Sequence, residues 1–434
     1  MAADPDRFNR HGPVRVSADR THLIHAGDGT PFFFLSDTAW NGALLSTVAD
    51  WARYLDDRAA KGFTAIQFIT HAPWTGALTN REGETAFANG DPRAINPIFF
   101  DRIDRRIEMI NDRGLLAVPV LAWAADFGPS GKLNVGLTSP ARELIPFVHY
   151  QVARFAHRRV MWVLAGDGAY GYWQARKWNR VGREVFGGRN DHTPVAMHPV
   201  GTTWPHASMD AQEWLDVNGY QSSHSEDAKT LRWLQQGPPA TAWRGGARPR
   251  PTINLEPVYE GIAPGGREPF GADAVRRAVY WSLLNAPTAG VSYGAHGLWG
   301  WHDRPMAALN HANMGIGPAW DVAMAFPGAE DMACVARLFT SIRWWTLRPD
   351  QELIAAQPSV DDPMRWVAAS RSETGDLAIV YLAAGGEVTI RRERLNGARQ
   401  AFWFDPRTGE RFACEVGERI VAPDGRDWVW VATD

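Results

Sequence analysis

Glu256 and Asp167 each stand at the end of a short apolar run. In P-T-I-N-L-E-P-V-Y-E-G (251–261), the run through Ile253 and Leu255 stops at Glu256. Pro257 has no N–H to offer a sheet ladder, so a strand ends there and presents a carboxylate at its tip. In V-M-W-V-L-A-G-D-G (160–168), the same form ends in Gly166 and Asp167. Two strand-borne carboxylates are what hydrolysis of a glycosidic bond requires. One carboxylic acid protonates the leaving oxygen, and the second carboxylate attacks the anomeric carbon or activates a water. Tips that both project into one pocket would stand roughly 5–6 Å apart, the spacing of a retaining pair.

The two roles need opposite surroundings. The acid needs an apolar setting that raises its pKa, for which Trp162, Tyr170 and Trp173 are candidates beside Asp167. The nucleophile must stay ionised, and Asn254, Tyr259 and His296 are candidate donors for Glu256. Other roles compete for these residues. Asp167, just before Gly168 and Ala169, also suits a helix N-cap. Glu260, four residues past Glu256, competes as nucleophile, though its place in a loop after Tyr259 fits a supporting role better. The remaining polar or aromatic residues at strand ends are expected to contact substrate: Asp37, Trp40, Gln67, His71, Trp74, Trp123, Tyr170, His198, His224, Tyr259, His296 and Trp299. Asp37 is more a ligand for a substrate hydroxyl, or a turn cap, than a catalyst. The chain holds 21 Trp. Many stand beside Gly, Pro, His or Asp at strand ends, where flat aromatic faces suit the C–H faces of sugar rings; packing of loops is the alternative for any single one.

The elements that must position these groups follow a βα rhythm. Short apolar strands are expected near residues 32, 64, 115, 160, 193, 216, 251 and 290, the one at 216 being the weakest. Helices are predicted from Thr47 to Lys61, Phe99 to Arg113, Ser139 to His157 and Ala272 to Leu284. The first carries Trp51, Tyr54, Leu55 and Arg58 at helical spacing, and Gly62 and Gly114 act as stops. Eight alternations indicate a (β/α)₈ TIM barrel, in which the C-terminal strand tips converge on one face. A doubly wound sheet is the runner-up and would not gather all eight tips. Residues 7–36 form a small antiparallel entry, and the loop 72–97, with His71, Trp74, Asn80 and Arg81, is placed to close one end of the cleft and favour exo-action. After a helix through Met332, Val335, Leu338 and Ile342, the period becomes two, and short strands at 366–369, 377–381, 388–390, 401–404 and 428–431 indicate a small antiparallel β-sandwich. The expected domains are thus 1–345, a catalytic barrel with an N-terminal β-hairpin, and 346–434, the sandwich.

Composition bounds the rest. With 45 Lys+Arg against 48 Asp+Glu, the formal net charge of −3 argues against a nucleic-acid or anionic-membrane partner. Two cysteines, Cys334 and Cys414, do not make a disulfide framework. The N-terminus lacks the apolar segment of a secretory signal, and no run is long enough to span a bilayer, so the expected location is the cytoplasm. No G-x-S-x-G or H-E-x-x-H pattern occurs, which argues against the corresponding hydrolase and zinc readings; no cofactor or metal is expected.

Several stretches together resemble one known family. D-G-T-P-F-F-F-L-S-D-T-A-W (28–40), R-A-A-K-G-F-T-A-I-Q (58–67), M-W-V-L-A-G-D (161–167), N-L-E-P-V-Y-E-G (254–261) and R-R-A-V-Y-W-S-L-L-N-A-P-T-A-G-V-S-Y-G-A-H-G-L-W (276–299) are similar to the apiosidase-like glycoside hydrolases, over about 8–430. The C-terminal domain of that family carries the label "putative collagen-binding domain of a collagenase", to which these residues lend no protease motif. The resemblance implies a (β/α)₈ barrel with an acid/base Asp after the fourth strand and a nucleophilic Glu after the seventh, roles that fall on Asp167 and Glu256. Where the family has Gly-Gly-Asp, this chain has Ala165-Gly166-Asp167. The implied substrate is a carbohydrate, with furanosides such as apiose or arabinose in plant pectic side chains as the class that relatives cleave. A non-catalytic carbohydrate-binding protein on the same barrel, and a transglycosidase with a sugar acceptor in place of water, are the alternatives.

Overall fold

The computed structural model describes residues 4–71, 79–125, 134–188, 192–245, 248–309 and 311–434. Eight parallel strands form one sheet: β1 (Phe34–Thr38), β2 (Ala65–Ile69), β3 (Leu116–Val120), β4 (Trp162–Gly168), β5 (Val195–Pro199), β6 (Asn218–Gln221), β7 (Thr252–Glu256) and β8 (Gly290–Tyr293). β8 pairs with β1, and a parallel bridge from Ala196 to Val217 joins β5 to β6, so the sheet closes into a barrel. All eight strands stand where the apolar runs place them, the weak one at 216 included. The strands read as continuous apolar runs because helices cover the sheet outside and side chains fill it inside.

Among the described residues, seven main helices surround the barrel: α1 (Val48–Ala60), α2 (Pro97–Asn111), α3 (Ala141–Phe155), α4 (Tyr172–Phe186), α5 (Ala228–Gln236), α6 (Ala272–Leu284) and α7 (Pro327–Phe339). Between β5 and β6 the chain makes a short 3₁₀ turn, Pro205–Ser208, in place of a full helix. Local signals mark the starts. Thr47 Oγ1 caps α1 by accepting the Asp50 N–H at 3.0 Å, and Asp227 caps α5 with bonds from the N–H groups of Lys229 and Thr230. The buried face of α1 is Trp51, Tyr54, Leu55 and Arg58. At the N-terminus, Val14–Val16, Leu23–His25 and Pro31–Phe32 form a small antiparallel sheet.

The C-terminal part has eight strands: β9 (Arg348–Pro349), β10 (Val367–Arg371), β11 (Leu377–Leu382), β12 (Glu387–Thr389), β13 (Gln400–Phe404), β14 (Arg411–Cys414), β15 (Arg419–Val421) and β16 (Trp428–Thr433). Six make an antiparallel sheet in the order β9-β10-β11-β16-β13-β14, while β12 pairs with β15. Along β16 the side chains alternate: Val429 and Val431 join the barrel's core, whereas Trp428 and Trp430 join Trp403, Val388 and Ile420 in a second core under the small sheet. The large sheet therefore lies between the barrel and its own partner sheet. Among the described residues no helix is long and apolar enough to cross a membrane.

Candidate active site

Asp167 and Glu256 line one pocket at the C-terminal mouth of the barrel, with Trp40, Trp123, His224, Tyr259, Trp299, His311 and Met314. Neither carboxylate ends a regular strand. β4 shifts register against β5 on both sides of its tip, and Asp167 takes a left-handed φ of 58°, a conformation that costs a non-glycine residue about 1–2 kcal/mol. Such strain at a strand tip re-aims the side chain. Gly166 makes the approach possible: a Cβ there would stand 2.3 Å from the Trp123 ring. β7 shifts register between Asn254 and Glu256. Asn254 holds that bulge, accepting the Glu256 N–H at 3.2 Å and donating to the Ser222 and Ser282 hydroxyls.

The two carboxyls are held in opposite protonation states. Glu256 Oε1 accepts a hydrogen bond from His224 Nε2 at 2.9 Å, and Oε2 lies 3.2 Å from His198 Nε2. His224 Nδ1 accepts the Tyr259 backbone N–H at 3.2 Å, so the ring's proton is fixed on Nε2, facing the carboxylate. Burial opposes ionisation of Glu256, but the two imidazoles outweigh it and hold the group well below the usual carboxylate range. Asp167 is pushed the other way, up to about 7, first by burial and then by the negative charge of Glu256. A bond of 2.6 Å from Gln221 Nε2 to Asp167 Oδ1 works against that rise. Burial opposes the charged form of His198 too, and the Glu256 carboxylate overcomes it.

The aromatic walls interlock. Trp40 meets both Trp123 and His198 edge-on at 5.3 Å, and Tyr259 packs on His224 at 4.5 Å. Tyr170 lies against the strand that carries Asp167, accepting the Gly168 N–H at 3.1 Å and donating to the His198 carbonyl at 3.3 Å.

The structure draws Trp40, Trp123, His198, His224, Tyr259 and Trp299 together around the two carboxylates, with Tyr170 behind Asp167. Four other residues expected to contact substrate have different work. Asp37 is fully buried, taking the Tyr54 hydroxyl at 2.8 Å and Arg58 Nε at 2.5 Å on one oxygen and the Thr38 N–H on the other, so it pins α1 to β1. Gln67 spans the barrel interior, donating to the Leu255 carbonyl at 2.9 Å and the Ser292 hydroxyl at 2.8 Å, which steadies β7 one residue before Glu256. His71 packs its ring against Phe147 at 5.4 Å. His296 is a neighbour of the pocket and not a donor to Glu256: its Nε2 bonds the Gly315 carbonyl at 3.1 Å and so anchors the loop that carries His311 and Met314. Trp74 lies outside the described residues. Trp173, expected to shield the acid, is 65% exposed. Glu260 turns away to the start of α7, accepting the Gly328 N–H and the Tyr293 hydroxyl.

The strand-tip pattern missed Gln221, His311 and Met314. Gln221 ends β6 and carries the same tip signal as the others; His311 and Met314 come from a long loop that carries no periodicity. Among the described residues, no group of three or more His, Cys, Asp or Glu side chains is arranged to hold a metal ion.

A family model described as "Apiosidase-like, catalytic domain" matches residues 17–346, three quarters of the chain. The chain belongs to the apiosidase-like family. A second model, "Putative collagen-binding domain of a collagenase", matches residues 348–433. No curated protein matches. Among solved structures, a glycoside hydrolase family 5 protein from Bacteroides vulgatus superposes with a TM-score of 0.85 at 22% identity, covering 100% of this chain and 94% of its own. A structure described as "Glycoside hydrolase" gives 0.83 at 21%, covering 100% and 99%. A third, a putative glycoside hydrolase from Bacteroides vulgatus, gives 0.66 at 14%, covering 98% and 83%. At these identities the likeness speaks for the fold, and the family carries the enzyme class: this apiosidase-like chain is a glycoside hydrolase.

Proposed function

We propose that the enzyme cleaves its substrate by double displacement with retention at the anomeric carbon, with Glu256 as nucleophile and Asp167 as acid/base. The observation that carries this reading is the pair of carboxyls in one pocket with opposite protonation states, one made anionic by two imidazoles and one kept neutral by burial and by its partner's charge. In the first step the Asp167 proton moves to the glycosidic oxygen as Glu256 attacks the anomeric carbon, forming a glycosyl ester and releasing the leaving group. In the second, the Asp167 carboxylate takes a proton from water, the water attacks the anomeric carbon, and Glu256 departs as a carboxylate. Tryptophan faces beside the two carboxyls suit stacking against a sugar ring, and family membership favours a furanoside such as an apioside or arabinoside.

Two variants separate the roles. Glu256→Ala should lose nearly all activity on every substrate, because no ester forms. Asp167→Ala should still form the ester from an aryl glycoside with an acidic phenol, then stall, and azide should restart turnover as a glycosyl azide of retained configuration. NMR of the first product anomer gives the independent check. An inverted anomer would sink the nucleophile assignment.

A further inference from the structure

We infer that Gln221 is a positioning residue for Asp167: its amide N–H occupies Oδ1, so the transferable proton rides on Oδ2, and the same bond sets the upper end of the working pH range. The inference rests on the reading of Asp167 as the acid/base.

Gln221 is 6% exposed and is the last residue of β6. Its Cα is the register partner of Glu256 on β7, while its side chain reaches past β5 to the acid on β4. One residue thus ties the two catalytic strands together. A neutral carboxylic acid has one carbonyl oxygen and one hydroxyl. An N–H donor seated on Oδ1 at 2.6 Å makes that oxygen the acceptor, which leaves Oδ2 to carry the proton. As the proton departs, charge grows on the carboxyl and the Gln221 bond becomes charge-assisted, so it strengthens during proton transfer. In the second step the same bond steadies the carboxylate that must accept a proton from water.

The groups facing Asp167 divide clearly. Glu256 on β7 and burial keep its proton on, while His198 on β5, His224 after β6 and the Gln221 amide draw it off. Tyr170, on the acid's own loop, and Tyr259, after β7, are phenols whose ionisation is opposed first by burial and then by the nearby carboxylates, so both stay neutral. Gln221 is the uncharged member of the set that bonds the carboxyl directly, so its replacement by methionine tests the bond without adding or deleting a charge.

The test uses Gln221→Met, which keeps length and drops the donor, and Gln221→Glu, which replaces it with acceptors. The full chain is labelled with ¹³Cγ-aspartate, and the Asp167 carboxyl resonance is assigned by its loss in Asp167→Asn. In Gln221→Met the resonance should titrate about one pH unit higher than in the native protein, and in Gln221→Glu higher still. With phenyl and 4-nitrophenyl apiofuranosides as probes, kcat/KM should fall about tenfold more for the phenyl leaving group, which depends on the placed proton. A merely structural glutamine would lower Tm and leave the titration in place. An unchanged Asp167 titration in a folded Gln221 variant overturns the inference. A native Asp167 that titrates in the ordinary carboxylate range instead overturns the acid assignment beneath it.

Discussion

At Glu256 the two histidines decide the chemistry. Burial by itself would drive the carboxyl towards its neutral form, and an imidazole on each oxygen reverses the balance. Asp167 is held up by burial and then by the Glu256 charge, against a single amide donor, so its proton stays. The pH dependence follows with a definite sign. On the proposed roles Asp167 must be protonated, so kcat/KM should fall as pH rises through about 7, while Glu256 must be ionised, so the acidic limb should lie well below the usual carboxylate range. A pH–rate profile checks both limbs, and a basic limb near 4–5, roughly the range of a free carboxyl, would remove Asp167 as the acid. At this scale the sequence indicates which residues stand at strand ends, but not where each side chain turns. Asp37 and His224 carry the same signal. One is consumed by Arg58 and Tyr54 from a helix, and the other faces Glu256, a difference set by neighbours far away in the chain.

The helix α6 shows how an element does two jobs. Its N-terminal half meets the C-terminal sheet through Arg276, which bonds both oxygens of Asp427, at 2.7 and 3.0 Å, and Asp331 at 2.6 Å. Further along, Tyr280 stacks on Tyr381 at 4.6 Å, Trp281 donates to the Trp366 carbonyl at 3.1 Å, and Ser282 supports Asn254 behind Glu256. Removing one member of a buried ion pair strands the others. Arg276→Met leaves Asp331 buried without its cation and Asp427 with Arg407 alone, and should cost about 3–5 kcal/mol. Thermal melting should show a clear fall in Tm, while kcat per folded molecule stays close to native. An unchanged Tm would mean that this seam contributes little. The helices were legible because capping residues and the spacing of apolar positions are local: Thr47 with Trp51, Tyr54, Leu55 and Arg58 is the plainest case. Short edge strands such as Arg411–Cys414, exposed and charged, carry no such pattern and were not legible.

For the whole molecule, the barrel and the C-terminal sheet share one apolar core that includes Trp366, Ile379, Tyr381, Phe404, Val429 and Val431 beside barrel residues. Truncation after Leu347 would strip that face, so the barrel alone should be recovered insoluble; a soluble, active fragment would show that the two parts fold independently. What the sequence determined by itself is the eight barrel strands, helices such as α1 and α6, and the two carboxylates at strand tips, because hydrophobic period, caps and strand-ending prolines act over a few residues. What only the tertiary structure decided is which tips share a pocket and in what charge state they stand. Those depend on barrel closure, on register shifts at Asp167 and Glu256, and on partners such as Gln221 and His198, supplied by strands far apart in the chain. Burial and charge act through space, and only closure of the sheet sets those distances.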